Sequence, residues 1–250
     1  DEMVKNGKLT QGEADLLADS DNPLTWKQFT DICVKIQGYF GTEKNNDKFY
    51  AIPYYELSSA VWSNNADYFD ENAMHSTISS DEFCETIEWL WDLMYTYKVV
   101  PKSTGDSAQN MFLAKNSAFC WVGPYLTPMY HQQKMNYRLL PVPYNGENPE
   151  ARSTTLGLAI SKSTKSPAAA LALMKYLSLN ESAQKDFYTR GQLIPNLKSM
   201  ALDRESFLSE NDGSVALWPE NRSVYCDIVD GFGGDTKAAL GKTGGDKIGG

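Results

Sequence analysis

Thr155-Leu156-Gly157-Leu158-Ala159-Ile160 is a short apolar run of strand type. A few residues later, Ser166-Pro167 opens a helix in which Ala170, Leu173, Met174 and Leu177 recur at helical period. Serine then proline supplies an N-cap and a first helical residue that needs no N–H. A strand leading into a helix is the repeating unit of an α/β fold, and the same alternation is visible upstream. Thr25 with Gln28 forms a capping-box signature, and Phe29, Ile32, Cys33 and Ile36 follow at helical spacing up to Gly38, which predicts a helix over 25–37. Lys48 to Glu56 begins as a β-type aromatic run, and Leu57 to Trp62 can open another helix. Ser79 with Glu82 caps a helix that sets Phe83, Ile87, Leu90 and Met94 on one stripe and stops near Lys98. Ser117 to Val122 reads as a strand covered on both faces and closed by Gly123-Pro124. Leu139 to Val142 is a further strand, at an edge or bent, because Pro141 cannot donate to a ladder. Asn180 starts a last helix, with Ala183 and Phe187 inward and Gly191 at its left-handed end.

The chain has 250 residues, 42% of them hydrophobic and 22% charged, which is the composition of a globular protein with a real core. Its net charge of −9 repels phosphate backbones and argues against nucleic acid as a partner. No run of 18 apolar residues exists, so no bilayer span is expected. Residues 1–24 are polar and read as a linker or crossover remnant. The first residues, Asp1 to Gly7, lack both the apolar stretch of a signal peptide and the look of a native start, so a fragment is expected. The last twenty residues hold eight of the eighteen glycines and read as loop or as a truncated edge. Three segments result: 1–24, an α/β lobe over 25–200, and a Gly-rich extension over 201–250.

Several chemistries lose their footing on spacing alone. Cys33, Cys84, Cys120 and Cys226 make no C-x-x-C pair, and His75 and His131 are the only histidines, so no metal site is expected. Thiols within helical and apolar patterns are as a rule small buried hydrophobes, and one disulfide is left open. The stretch 236–243 imitates a phosphate-binding loop, but Thr236 stands where the first glycine must be and no strand feeds it. No cofactor is expected. Glycoside hydrolysis needs two carboxylates across a sugar, and Glu56, Asp67, Asp70 and Glu220 are conceivable, yet nothing pairs any two of them. No nucleophile elbow or triad neighbourhood occurs.

Aromatic residues say more. Tyr54, Tyr55, Trp62, Trp121, Tyr125, Tyr144 and Trp218 fall at strand ends or loops, whereas Trp26, Trp89 and Trp91 sit on helices and are expected to pack against protein. Sugars present flat C–H faces to aromatic rings and hydroxyls to polar side chains. Any one of these aromatics, taken alone, is more often a core residue than a ligand contact.

The order of segments resembles the extracellular solute-binding proteins of carbohydrate ABC transporters, the group related to maltose-binding protein. Thr25-Trp26-Lys27-Gln28-Phe29 is similar to that family's T-W-x-x-[FL] helix start. Phe112-Leu113-Ala114-Lys115-Asn116-Ser117-Ala118 is similar to its F-x-x-G-K-x-A-M segment, with departures at Ala114, Lys115 and Phe119. Val122-Gly123-Pro124-Tyr125 is similar to its N-G-P-W turn. Leu140 to Pro143, Leu156 to Ser161, the helix from Ser166-Pro167, and Gln184 to Pro195 continue the series. The likeness spans roughly 25–200 and rests on several weak motifs in the correct order.

The resemblance implies a periplasmic-binding-protein-like α/β fold in which this chain is mainly the C-terminal lobe of a two-lobe protein. It also implies a non-catalytic function: binding a mono- or oligosaccharide outside the cell and delivering it to an ABC permease. The protein would be a monomer, held as a lipoprotein outside a Gram-positive-type membrane. The contacts carried over are Tyr55 and Glu56 in a sugar-facing loop and Tyr125 as the stacking ring. Trp62, Thr155, Arg190 and Trp218 are further ligand-binding candidates. A secreted glycosidase, or a sensor domain sharing the fold, is the alternative.

Overall fold

The computed structural model describes residues 2–44, 46–102, 107–121, 123–152, 157–189, 194–201, 219, 221–222 and 224–225. Contacts within the chain divide it at places other than the 24/25 and 200/201 boundaries read from the sequence. One compact unit holds Asp1–Val122, Leu140–Ser153 and Gly231–Gly250; the other holds Gly123–Leu139 and Thr154–Asp230.

The first unit contains α1 (Glu2–Lys5), α2 (Gln11–Ala18), α3 (Trp26–Gln37), α4 (Leu57–Trp62), α5 (Asp81–Tyr95) and α6 (Ala108–Leu113). The helix predicted over 25–37 is α3. Thr25 Oγ1 accepts from the Gln28 N–H, Gln28 Oε1 accepts from the Thr25 N–H at 2.9 Å, and Phe29, Ile32, Cys33 and Ile36 are buried. Gly38 does not stop the chain's winding. It is right-handed, and a π-helical turn over Gly38–Glu43 follows, held beside Gln37, whose amide donates to Phe49 O and accepts from Ala51 N. The stretch 1–24 is not a linker: it carries α1 and α2, and Met3, Leu9 and Leu24 join the core of α3, Phe49, Ile52, Leu93 and Val99. Its apolar residues are few and widely spaced, so no periodicity announces them. A full capping box at Thr10 and Glu13 starts α2.

Among the described residues, the segments expected as strands form isolated bridges rather than ladders. Thr25 pairs with Tyr144 and Tyr50 with Ser117, both in parallel sense. Tyr50 N donates to Asn116 O at 3.0 Å, Ala118 N and Phe119 N both donate to Ala51 O, and Ile52 N donates to Val99 O at 3.1 Å. Two donors converging on one carbonyl break the even spacing of a parallel ladder. Pro141 and Pro143 remove donors from the segment that meets Leu24.

Helix α5 begins one residue later than the Ser79 reading. Ser80 is the N-cap, its Oγ accepting from the Phe83 N–H at 3.2 Å. Of the expected stripe, Phe83 is buried and Leu90 and Met94 pack against the core, with Thr86 and Leu93 also buried, while Ile87 is 43% and Trp91 56% exposed. The expected packing of Trp91 is therefore overturned, and so is the reading of Cys84 as a buried hydrophobe, since Cys84 is exposed. Cys33 is fully buried as expected, and burial pushes its thiol well above the ordinary range.

The second unit contains a 3-10 turn over Pro124–Leu126, then α7 (Thr127–Gln132), α8 (Pro167–Leu179), α9 (Glu181–Thr189) and α10 (Lys198–Ala201). Tyr130, Thr127, Met135, Leu139, Val224 and Tyr225 are its buried residues near α7. Asn221 clasps Leu139, accepting from its N–H at 3.0 Å and donating to its carbonyl at 2.7 Å. α8 starts at Ser166-Pro167 as read from the sequence, and Asn180 caps α9, its Oδ1 accepting from the Ala183 N–H. Gly191 lies outside the described residues.

Candidate functional site

Within the first unit an aromatic cluster is assembled from four separate stretches. Trp26 and Phe29 come from α3, Tyr55 from the approach to α4, Trp89 from α5, and Phe119 and Trp121 from the extended segment after α6. Tyr55 lies edge-on to Trp89 at 4.9 Å, to Trp121 at 5.0 Å and to Phe29 at 6.1 Å. Phe119 meets Phe29 edge-on at 5.1 Å. The edge-to-face geometry matches positive ring edges with negative faces. Tyr55 is half-buried, and its hydroxyl donates to Pro143 O at 3.4 Å. Burial raises that hydroxyl well above the ordinary tyrosine range, with neighbouring Cys33 and Glu56 adding to the effect, so Tyr55 stays a neutral donor. Neighbouring Tyr54 is 42% exposed.

Glu56 is the N-cap of α4. Its Oε2 accepts from Ser59 N at 2.7 Å and from Ser59 Oγ at 2.8 Å, and its Oε1 faces Arg152 Nη1 at 3.5 Å. Ser59 Oγ in turn accepts from Arg152 N at 2.8 Å. This ties the 150–152 stretch to the start of α4. Trp62 is 5% exposed, packs with Val61, Ala66, Phe83 and Tyr68, and donates its indole N–H to Asp67 Oδ1 at 3.2 Å. The other carboxylates considered for hydrolysis hold backbone in place: Asp67 Oδ1 also accepts from Tyr68 N, and Asp70 Oδ1 from Met74 N and His75 N. Glu220 lies outside the described residues.

In the second unit Tyr125 stands in the 3-10 turn with 63% of its surface exposed. Its ring lies against Gly123, where an added Cβ would come within 2.5 Å of the ring. Glycine at 123 thus lets the ring lie back along the turn. Thr155, Arg190 and Trp218 lie outside the described residues. Trp121, a partner of Tyr55, and Phe119, a partner of Phe29, belong to the cluster and were left off the sequence reading's list of contacts. Their apolar strand was visible, but the approach of α3 and α5 that turns it into an aromatic cluster was not. Among the described residues no group of three His, Cys, Asp or Glu is placed to hold a metal ion, and no helix is long and apolar enough to cross a membrane.

The fold is similar to two solved structures. One is an ABC substrate-binding protein from Listeria monocytogenes in complex with cycloalternan (TM-score 0.62, 20% identity, covering 77% of this chain and 52% of that one). The other is an ABC transporter solute-binding protein from Thermotoga lettingae bound with α-D-tagatose (TM-score 0.60, 17% identity, covering 80% and 52%). The chain spans about half the length of these structures. No curated protein sequence matches it. Residues 7–213 match the family described as bacterial extracellular solute-binding protein. With most of its length covered by that match and its fold similar to two substrate-binding proteins, the chain belongs to the bacterial extracellular solute-binding proteins.

Proposed function

We propose that this protein captures a mono- or oligosaccharide outside the cell and hands it to an ABC permease without chemically altering it. The observation that carries this reading is Tyr125: a ring 63% exposed, set just beyond an extended segment and a Gly-Pro turn, in a chain of the solute-binding family. An exposed ring so placed offers a flat apolar face to the C–H face of a sugar. The sugars named for the two similar structures support the ligand class. Tyr55 and Glu56 belong to the same proposal, with Thr155, Arg190 and Trp218 as further contacts; Trp62, buried against Phe83 and Tyr68, supports the end of α4 instead. Glu56 acts there by holding the 150–152 stretch.

In this reading the chain is mainly the C-terminal lobe of a two-lobe α/β protein. Ligand contacts from both lobes stabilise the closed state. The protein is a monomer tethered as a lipoprotein outside a Gram-positive-type membrane.

Calorimetry of the full-length protein against a carbohydrate panel tests it. Saturable binding of one sugar, weakened by Tyr125→Ala at unchanged melting temperature, is the expected result. Turnover of a glycoside would favour the hydrolase alternative, and absence of binding across the panel would overturn the sugar reading.

A further inference from the structure

α5 carries an aromatic stripe on the side turned away from its core. Ile87, Trp91 and Tyr95 recur every four residues and are 43%, 56% and 41% exposed. Trp91 and Tyr95 stack with ring centroids 4.8 Å apart and planes 25° from parallel. Between Ile87 and Trp91 lies a shallow, open groove on the surface of α5, bordered also by Glu88 and Asp92. Glu88 has no hydrogen-bond or ion-pair partner among the described residues, and Asp92 Oδ1 accepts only from Thr96 Oγ1. The stripe already holds one cation, since Lys102 Nζ lies over the Tyr95 ring at 4.9 Å.

We propose that this groove is a docking site for an arginine presented, beside apolar residues, by a segment of a partner protein. A guanidinium is planar and weakly hydrated, stacks on an indole face, and forks its donors onto carboxylates. Trp91 supplies the face, Glu88 and Asp92 the carboxylates, and Ile87 the apolar wall for the arginine stem or a neighbouring leucine. Charge complementarity decides the occupant: two carboxylates flank the ring, the chain carries a net −9, and the adjoining ring has taken a lysine. The surface belongs to a face of α5 separate from Tyr55 and Glu56 and does not depend on the sugar reading.

The test uses the full chain and a blocked amphipathic peptide with two arginines beside leucines, alongside its citrulline counterpart. Binding is read by calorimetry and by 19F NMR of 5-fluorotryptophan-labelled protein, the Trp91 signal being assigned with Trp91→Phe. Saturable binding that shifts the Trp91 signal, falls at least about tenfold in Trp91→Ala and in Glu88→Gln, weakens with salt and is lost with citrulline supports the proposal. Thermal unfolding of both variants confirms that they fold. Binding that persists unchanged in Trp91→Ala would place the peptide elsewhere on the acidic surface and overturn it. Overturning results also include no saturation by the peptide, a Trp91 signal that moves with sugars instead, and one that moves only with protein concentration.

Discussion

Trp26 and Trp89 lie face to face, their ring centroids 3.9 Å apart and their planes 3° from parallel, although 63 positions separate them in the sequence. The stack joins α3 to α5 directly behind Tyr55, which meets Trp89 edge-on. The two indoles are not equivalent. Trp89 donates its N–H to Thr30 Oγ1 at 3.1 Å, while the buried indole N–H of Trp26 has no partner among the described residues.

That asymmetry sets a first expectation. Trp89→Ala should destabilise the protein by about 3 kcal/mol in urea unfolding, because it removes a large ring from a packed interface together with its hydrogen bond. Trp89→Phe should cost more than Trp26→Phe, since only the former deprives a partner of its donor. Equal losses for the two phenylalanine variants would show that the Thr30 bond contributes nothing.

Glu56 and Ser59 hold the start of α4 and the 150–152 stretch together. Glu56→Ala should cost about 1–2 kcal/mol, the usual range for losing an N-cap, and should speed amide exchange at Ser59. An unchanged exchange rate there would contradict the cap.

Stability should fall in acid through Glu13. Its carboxylate receives Lys35 Nζ at 2.5 Å and Thr10 N at 2.9 Å, and these bonds, the lysine first, hold its pKa below the ordinary value. A group whose folded pKa is depressed contributes stability above its unfolded pKa and loses it as pH drops through the folded one. Melting temperatures of wild type and Glu13→Gln should therefore differ at neutral pH and converge as the solution is acidified below the ordinary glutamate range.

Cysteine reactivity should sort by burial. Cys84 is exposed, and Cys33 is buried with a raised thiol pKa, so alkylation at neutral pH followed by peptide mapping should label Cys84 in minutes and Cys33 only on unfolding. Comparable labelling of both in the folded protein would contradict the packing of α3.

Gly123→Ala should re-aim Tyr125 at small cost to stability. The atoms nearest the added Cβ belong to an exposed side chain that can swing away. If Tyr125 is the sugar platform, affinity should fall while the unfolding midpoint changes little. Unchanged affinity would remove Tyr125 from the site.

Local patterns carried much of this protein in its sequence alone. The capping boxes and apolar spacing of α3, the Ser166-Pro167 start of α8 and the Asn180 cap of α9 were legible because each depends on residues within a turn or two of one another. The ordered motifs pointed to the family for the same reason. Tertiary structure alone decided which face of a segment was inside. Ile87 fits the helical stripe of α5 as well as Leu93 does, yet the docking of α3 buries Leu93 and leaves Ile87 and Trp91 in solvent. Met3 and Leu9 had no periodicity to reveal them and are core only because α3 and Tyr39 lie against them. The aromatic cluster around Tyr55 draws on four stretches far apart in sequence. Only the chain's closure brings them together, because burial is a property of the assembled surface and not of any one segment.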